Sequence, residues 1–141
     1  MRLGVTRRQQ PSAGAEQQYK ADVALAGRRT ELLAAAAETE SRLRKTQSRR
    51  APDTEVRRLA EDLDAALTEA MRAAYAAQRA EIGPRGYEDR IYRRKARAKP
   101  RVHALTAEAE HLLTLRETHR LTGIPPVPFE PGPLASAVTK A

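Results

Sequence analysis

Apolar residues recur at helical spacing in three stretches of the chain, separated by glycine and proline. The first stretch, residues 15–47, contains no proline and carries two adjacent apolar stripes, which predict one long helix. The second, residues 54–81, has apolar positions three and four apart, as in a coiled-coil seam. The third, residues 101–122, predicts a further helix, with one face formed by Val102, Leu105, Ala109, Leu112 and Leu113.

Proline and glycine mark the ends of these helices. Pro52 disfavours helix at the preceding residue, and Asp53 is placed to cap the second helix. Gly83 and Pro84 end that helix, and a short basic helix over residues 87–98 follows before Pro100. Gly27 is the one glycine within the first stretch, where it weakens the helix by about 1 kcal/mol relative to alanine.

The pattern predicts an all-α fold: a long antiparallel helical hairpin, coiled-coil-like, plus a shorter helical pair. An extended N-terminal arm and a Pro-rich C-terminal tail complete it. The expected organisation is a flexible basic arm at 1–14, the hairpin at 15–82, the basic short helix with the following amphipathic helix at 83–123, and an extended tail at 124–141.

The composition makes the predicted hydrophobic core small. Alanine accounts for 27 of the 141 residues, whereas Leu, Ile, Val and Phe together number 24. Thin apolar stripes of this kind bury little surface in a two-helix hairpin, so we expect association with copies of the chain or with other proteins. The composition argues against a β-rich domain and a large enclosed active site, and the absence of cysteine excludes disulfides and thiolate chemistry.

Positive charge is concentrated in one segment. The chain has a net charge of +8, and residues 82–101 hold eight basic residues against two acidic ones. At 100° per residue, Arg90, Arg93, Arg94 and Arg97 fall within one 100° arc of a helix, with Tyr87 and Ile91 beside it. The candidate residues for binding nucleic acid or an acidic partner are Arg90, Arg93, Arg94, Arg97, Lys95 and Lys99.

Guanidinium groups on one stripe suit phosphate oxygens, and the neighbouring tyrosines offer rings for stacking on bases. The alternative is a solvated face, or a face paired with the acidic helix at 53–81 or with acidic residues of a neighbouring subunit. No helix-turn-helix pattern, zinc-finger spacing or aromatic RNA-binding signature accompanies the basic segment, so contact with nucleic acid would be independent of sequence, and DNA and RNA stay open.

Both ends of the chain carry residues suited to contacts. The arm contains Arg2, Arg7 and Arg8, which suit a nucleic-acid groove or its phosphates as well as an ordinary frayed terminus. The tail is rich in proline and pre-extended, so it could lie in a groove of another chain at low entropic cost. Its candidate docking residues are Ile124, Val127, Phe129 and Leu134.

Catalytic and metal-binding patterns are weak. Glu108 and His111 form a Glu-x-x-His pair, but a di-iron bundle needs two such pairs and two further glutamates. The spacing of eight between His103, His111 and His119 turns each histidine about 80° from the last, so they share no face. We therefore expect no enzyme activity, no catalytic residues, no cofactor and no metal.

Two functions from different classes follow. The first is a non-enzymatic structural or assembly subunit of a larger multi-chain complex, for example a virion component, that uses helix packing and extended termini. The alternative is a small basic nucleic-acid-binding accessory protein that contacts phosphates through the Arg-rich helix. The longest apolar run has six residues and the N-terminus lacks a secretory pattern, so we expect no membrane partner. The expected location is the cytoplasm or a particle assembled inside the cell.

Overall fold

The computed structural model describes residues 10–122, and this part of the chain is 87% helical. No β-strand occurs within it, so the predicted all-α class is confirmed. In chain order, its five helices are α1 (Ala13–Ala26), α2 (Arg29–Ser48), α3 (Asp53–Ile82), α4 (Arg90–Ala96) and α5 (Pro100–Thr122). A 3₁₀ turn at Pro84–Tyr87 lies between α3 and α4.

Helices α1 and α2 run antiparallel to α3 along its length. Arg49, just after α2, pairs with Glu55 in the first turn of α3. Arg79, near the end of α3, donates to Asp22 of α1 at 2.8 Å from its Nε. The two contacts lie at opposite ends of α3, which fixes the relative direction of these elements.

Helix α5 also runs antiparallel to α3 and packs against it. The Nε2 atom of His119 lies 2.8 Å from the carbonyl oxygen of Ala60, in the first half of α3. At the other end, the Nε2 atom of Gln78 donates to Oγ1 of Thr106 at 3.0 Å. The helix predicted at 101–122 therefore belongs to the same core as the first two, rather than to a separate helical pair.

The core is built from leucine and alanine of α2, α3 and α5. Its large buried members are Leu32, Leu33, Leu43, Leu59, Leu63, Leu67 and Leu112. The second half of α3 contributes small ones, including Ala70 and Ala74, at which neighbouring helices approach closely. The coiled-coil seam predicted for α3 is too narrow, because Ala73 and Ala76 are buried as well. A helix with two antiparallel neighbours needs a wider apolar face than a hairpin helix does.

The prediction of one uninterrupted helix over 15–47 is wrong at Gly27 and Arg28. The backbone N–H of Arg28 donates to the carbonyl of Leu25, three residues earlier, and the backbone of Arg28 leaves helical geometry with φ −94° and ψ 2°. Glycine has the least backbone restraint of any residue, which makes this the weakest point of the stretch. The break divides the predicted helix into α1 and α2.

Two of the predicted segments lie wholly or mainly outside the described residues. Residues 1–9 hold most of the basic arm, and residues 123–141 hold the Pro-rich tail with its candidate docking residues. The predictions made for them, and for the hairpin as an independent unit, stay predictions.

Candidate nucleic-acid interface

The basic segment begins where α3 is stopped by Gly83. Gly83 has a φ of +100°, which suits glycine and turns the chain into the 3₁₀ turn. Asp89 then caps α4, because its Oδ1 accepts a hydrogen bond from the backbone N–H of Tyr92 at 2.9 Å. That bond, with a side-chain bond from Arg85, holds the pKa of the Asp89 carboxyl below its usual value. The sequence thus defines the start of the short helix locally.

A small apolar cluster and one glycine hold α4 on the end of the bundle. Ile82, Ala96 and Val102 are buried together, with Tyr92 packed against them. Gly86 lies so close to α3 that a Cβ atom added to it would be 2.4 Å from Cγ2 of Ile82. The 3₁₀ turn therefore sits directly on the end of α3, and α4 presents its other face to solvent.

Five of the six predicted basic residues form an exposed surface, which we term the basic stripe. Its members are Arg90, Arg94, Lys95, Arg97 and Lys99. Within residues 10–122, none of these five side chains makes a hydrogen bond or an ion pair. The structure therefore brings together, on α4 and the turn after it, cations whose charge no described carboxylate compensates.

Arg93, the sixth, has a different role. It is half-buried, and its Nη1 donates to the carbonyl oxygen of Gly86. This bond ties α4 to the 3₁₀ turn, so Arg93 supports the fold as well as facing the stripe. Sequence periodicity places Arg93 on the same arc as its neighbours but gives no sign of this inward contact.

A shallow depression marks the centre of the basic stripe. It is lined by Arg90, Ile91, Arg93, Arg94 and Arg97, with no acidic residue among them. Ile91 is 67% exposed and adds an apolar contact area. The two acidic residues of the segment are occupied elsewhere, because Asp89 caps α4 and Glu88 accepts from the backbone N–H of Ser12 at 3.1 and 3.3 Å.

The tyrosines beside the segment are held by other contacts. The guanidinium carbon of Arg85 lies 4.5 Å from the ring centre of Tyr92, so that one face of this ring is covered. Tyr87 lies in the 3₁₀ turn and donates its hydroxyl proton to Asp22 of α1. The covered ring of Tyr92 is therefore not available for stacking on a base beside the stripe, whereas the contact of Tyr87 fixes its hydroxyl and leaves its ring uncovered by Arg85.

Asp22, Arg79 and Tyr87 form a polar network between α1, α3 and the 3₁₀ turn. Burial alone would raise the pKa of the Asp22 carboxyl, but hydrogen bonds from Arg79 and Tyr87 outweigh it, and the pKa lies below its usual value. Burial and the bond to Asp22 raise the pKa of the Tyr87 phenol. Sequence reasoning missed this network, because its members are 57 and 65 residues apart and belong to no motif.

Replacing Asp22 by asparagine is expected to destabilise the protein at pH 7 by about 1–2 kcal/mol, since the amide loses the charge that strengthens these bonds. A carboxyl whose pKa is lowered by folding stabilises the fold above its unfolded pKa, about 3.9, and loses this effect as pH falls through the folded value. Urea unfolding followed by circular dichroism should therefore show the difference between Asp22→Asn and wild type shrinking below about pH 4. The exposed Asp62→Asn serves as control, and an equal loss there would contradict the assignment.

The acidic helix α3 does not neutralise the basic stripe. Glu81 pairs with Arg101 at 3.9 Å, outside the stripe. Asp64 pairs with Arg120 of α5, and this hydrogen bond lowers the pKa of the Asp64 carboxyl. Pairing of the stripe with acidic residues of α3 is thus not found within residues 10–122, whereas pairing with another molecule stays open.

The Glu108–His111 pair is not arranged as a metal site. Glu108 accepts two hydrogen bonds from Nη1 of Arg29 in α2, and this half-buried ion pair links α5 to α2. Among the described residues, no group of three or more His, Asp or Glu side chains is placed to hold a metal ion.

Comparisons with known proteins add no family to this description. No family model, curated protein or solved structure gives a significant match to the chain. Within residues 10–122, no helix combines the length and the apolar composition needed to cross a membrane. The fold and the site define the class as an all-α protein in which α1 with α2 on one side, and α5 on another, pack antiparallel to α3. Within residues 10–122, a cationic surface without carboxylate partners lies at one end.

Proposed function

We propose that the protein is a non-enzymatic nucleic-acid-binding accessory protein whose basic stripe neutralises phosphates. The observation that carries the proposal is the stripe itself: five exposed cations on one short stretch, without a carboxylate partner among the described residues. Like charges held this close repel one another, and a polyanion relieves that repulsion. Such a surface gains affinity by releasing counterions from the nucleic acid.

The form of the cations suits phosphate, and the polyglutamate competitor described below separates phosphate from a carboxylate-rich surface. Three members of the stripe, Arg90, Arg94 and Arg97, are arginines, whose planar donors match phosphate oxygens in pairs. The helix that carries the stripe, Arg90–Ala96, is about 10 Å long at helical rise, a length over which a nucleic-acid backbone presents several charges. Backbone contacts of this kind position a protein without reading sequence.

The N-terminal arm is attached at the same end of the bundle. The bond between the Ser12 backbone and Glu88 places the start of α1 beside the segment that leads into α4. The described chain therefore begins next to the stripe, and the sequence that precedes it carries Arg2, Arg7 and Arg8. This supports a single polyanion-binding end made from two basic regions.

The salt dependence of binding tests the proposal. Fluorescence anisotropy of a labelled 20-base-pair duplex should give an association constant that falls steeply between 50 and 200 mM NaCl. Four to five phosphate contacts correspond to a slope of about −4 in a plot of log K against log salt. A flat salt dependence would refute the proposal, as would a polyglutamate competitor that displaces the duplex at the same charge concentration.

The assembly subunit is the second candidate, favoured by an observation at the opposite end. Leu121, at the end of α5, is 84% exposed and directly precedes the tail that carries the candidate docking residues. The sequence predicts association because a two-helix hairpin buries little apolar surface. That reason is weakened, because α5 covers part of the apolar face of α3 within one chain. Oligomers that persist at 1 M NaCl would favour this candidate over the first.

A further inference from the structure

A cleft separate from the depression lies beneath the short helix. It is a half-open cleft of about 360 Å³, lined by residues of α3, the 3₁₀ turn, α4 with its following turn, and α5. Small-molecule sites start at about 300 Å³, so a cavity of this size suits a single small group. Arg93 and Arg97 line both the cleft and the depression, so the cleft lies next to the basic stripe.

The interior of the cleft combines aromatic rings with neutral hydrogen-bonding groups. Tyr75 and Tyr87 contribute rings, and Gln78 and Thr106 contribute an amide and a hydroxyl. Gln78 is only 6% exposed, and its Nε2 is fixed by the bond to Thr106. An aromatic wall next to a positioned amide is the chemistry that recognises a nucleobase, through stacking and through hydrogen bonds to its edge.

The charged residues that line the cleft differ in whether they have a carboxylate partner. Arg93 and Arg97 have no carboxylate partner among the described residues, whereas Arg79 is paired with Asp22. The lining contains one carboxylate, Glu110, on α5. A phosphate would therefore lie at the two arginines of α4 and its following turn, next to the stripe, and an uncharged ring would lie further in.

We propose that the cleft holds one nucleotide unit of a single strand, with its base inside and its phosphate at Arg93 and Arg97. The inference rests on the proposed function and deepens it, because it makes the preferred polyanion single-stranded. In a duplex the bases are stacked and paired, so that none can enter the cleft without being extruded. A free nucleotide carries the same chemistry, and the experiment below separates the two sources.

The first test compares a 20-nucleotide single strand with a duplex of the same sequence at one salt concentration. Stacking of a single base contributes enough to favour the strand by about fivefold or more. Thr106→Leu fills the cleft and removes the hydroxyl, and the strand-to-duplex ratio should fall by the same factor. Thr114→Leu is the matched control, since both threonines donate to the carbonyl four residues earlier on α5 but only Thr106 lines the cleft.

The second test uses adenosine 5′-monophosphate and needs no change inside the bundle. Arg97→Ala removes a residue of both cleft and depression, whereas Arg94→Ala removes one of the depression alone. The nucleotide should perturb amide signals around Gln78 in NMR spectra of wild type and Arg94→Ala, and bind Arg97→Ala at least about fivefold more weakly. Both arginines are exposed, so neither change threatens folding.

The outcomes distinguish this inference from the proposed function. Steep salt dependence with equal affinity for strand and duplex would overturn the proposed role of the cleft and leave that of the stripe. An unchanged strand-to-duplex affinity ratio in Thr106→Leu would do the same. Binding of the mononucleotide that depends on Arg97, without oligonucleotide binding, would support the cleft as a site for free nucleotides and overturn the proposed function. Failure to bind the strand and the mononucleotide would overturn both.

Discussion

Alanine at Arg90, Arg94 and Arg97 together is expected to lower the salt dependence of duplex binding by about 2.7 units of slope, since each lost phosphate contact removes about 0.9. Affinity should fall by about a hundredfold at 50 mM NaCl if each contact contributes about 1 kcal/mol. The three side chains are exposed and unpaired within residues 10–122, so thermal unfolding should stay close to wild type. Arg93 is not replaced, because its side chain donates a hydrogen bond to the carbonyl oxygen of Gly86 and thereby supports the fold.

A second triple variant separates the stripe from net charge. Lys45, Arg57 and Arg58 are also exposed, and replacing them by alanine removes the same three charges from the other end of the bundle. Binding at a defined surface predicts that this variant keeps nearly all of the affinity and slope of wild type. If both triple variants lose affinity equally, the protein binds through overall charge and the stripe is not a site.

Leu112→Ala is expected to destabilise the protein by about 3.5 kcal/mol, the middle of the range for truncating a buried leucine. Leu112 is 2% exposed and belongs to the core cluster formed by α2, α3 and α5. The loss is a large part of the total stability of a domain of this size. Urea denaturation followed by circular dichroism measures it as a shift of the midpoint, with the slope unchanged.

Leu121 offers a control on the same helix. It is 84% exposed, so Leu121→Ala should change the free energy of unfolding by less than about 0.5 kcal/mol. A small effect of Leu112→Ala, equal to that of Leu121→Ala, would show that α5 does not complete the core. Helices α1, α2 and α3 would then form an independent hairpin, as the sequence pattern alone predicts.

Helix positions were largely predictable because local chemistry determines them. Pro52 marks the start of α3 and Gly83 with Pro84 its end, and both ends lie within one residue of the predicted bounds. The predicted cap is wrong, because Asp53 is the first residue of the helix and no side chain caps it. The sequence marks Gly27 as a weak point of the helix, but the apolar periodicity continues across it and gives no sign of the break. Propensity gives the cost of a glycine, whereas tertiary packing decides whether the helix breaks there.

The packing of α5 was harder to predict, and so was the cleft. The stripes of α2, α3 and α5 show which faces are apolar but not which helix each face meets. The polar pairs that align the helices, such as Gln78 with Thr106 and Asp22 with Arg79, join residues far apart in sequence and carry no motif. For the same reason the sequence does not predict the hydrogen bond from Arg93 to the carbonyl of Gly86. The exposed members of the basic stripe, in contrast, follow directly from charge and helical spacing.

The described chain meets its two terminal segments at opposite ends of the bundle. Ser12 contacts Glu88 beyond the end of α3, whereas His119, close to the start of the tail, contacts Ala60 near the start of α3. At helical rise, these points are about 30 Å apart along α3. A nucleic-acid strand bound at one end of the bundle and a protein bound by the tail at the other end would therefore not compete for space. The rigid bundle would act as a spacer that sets the distance between them.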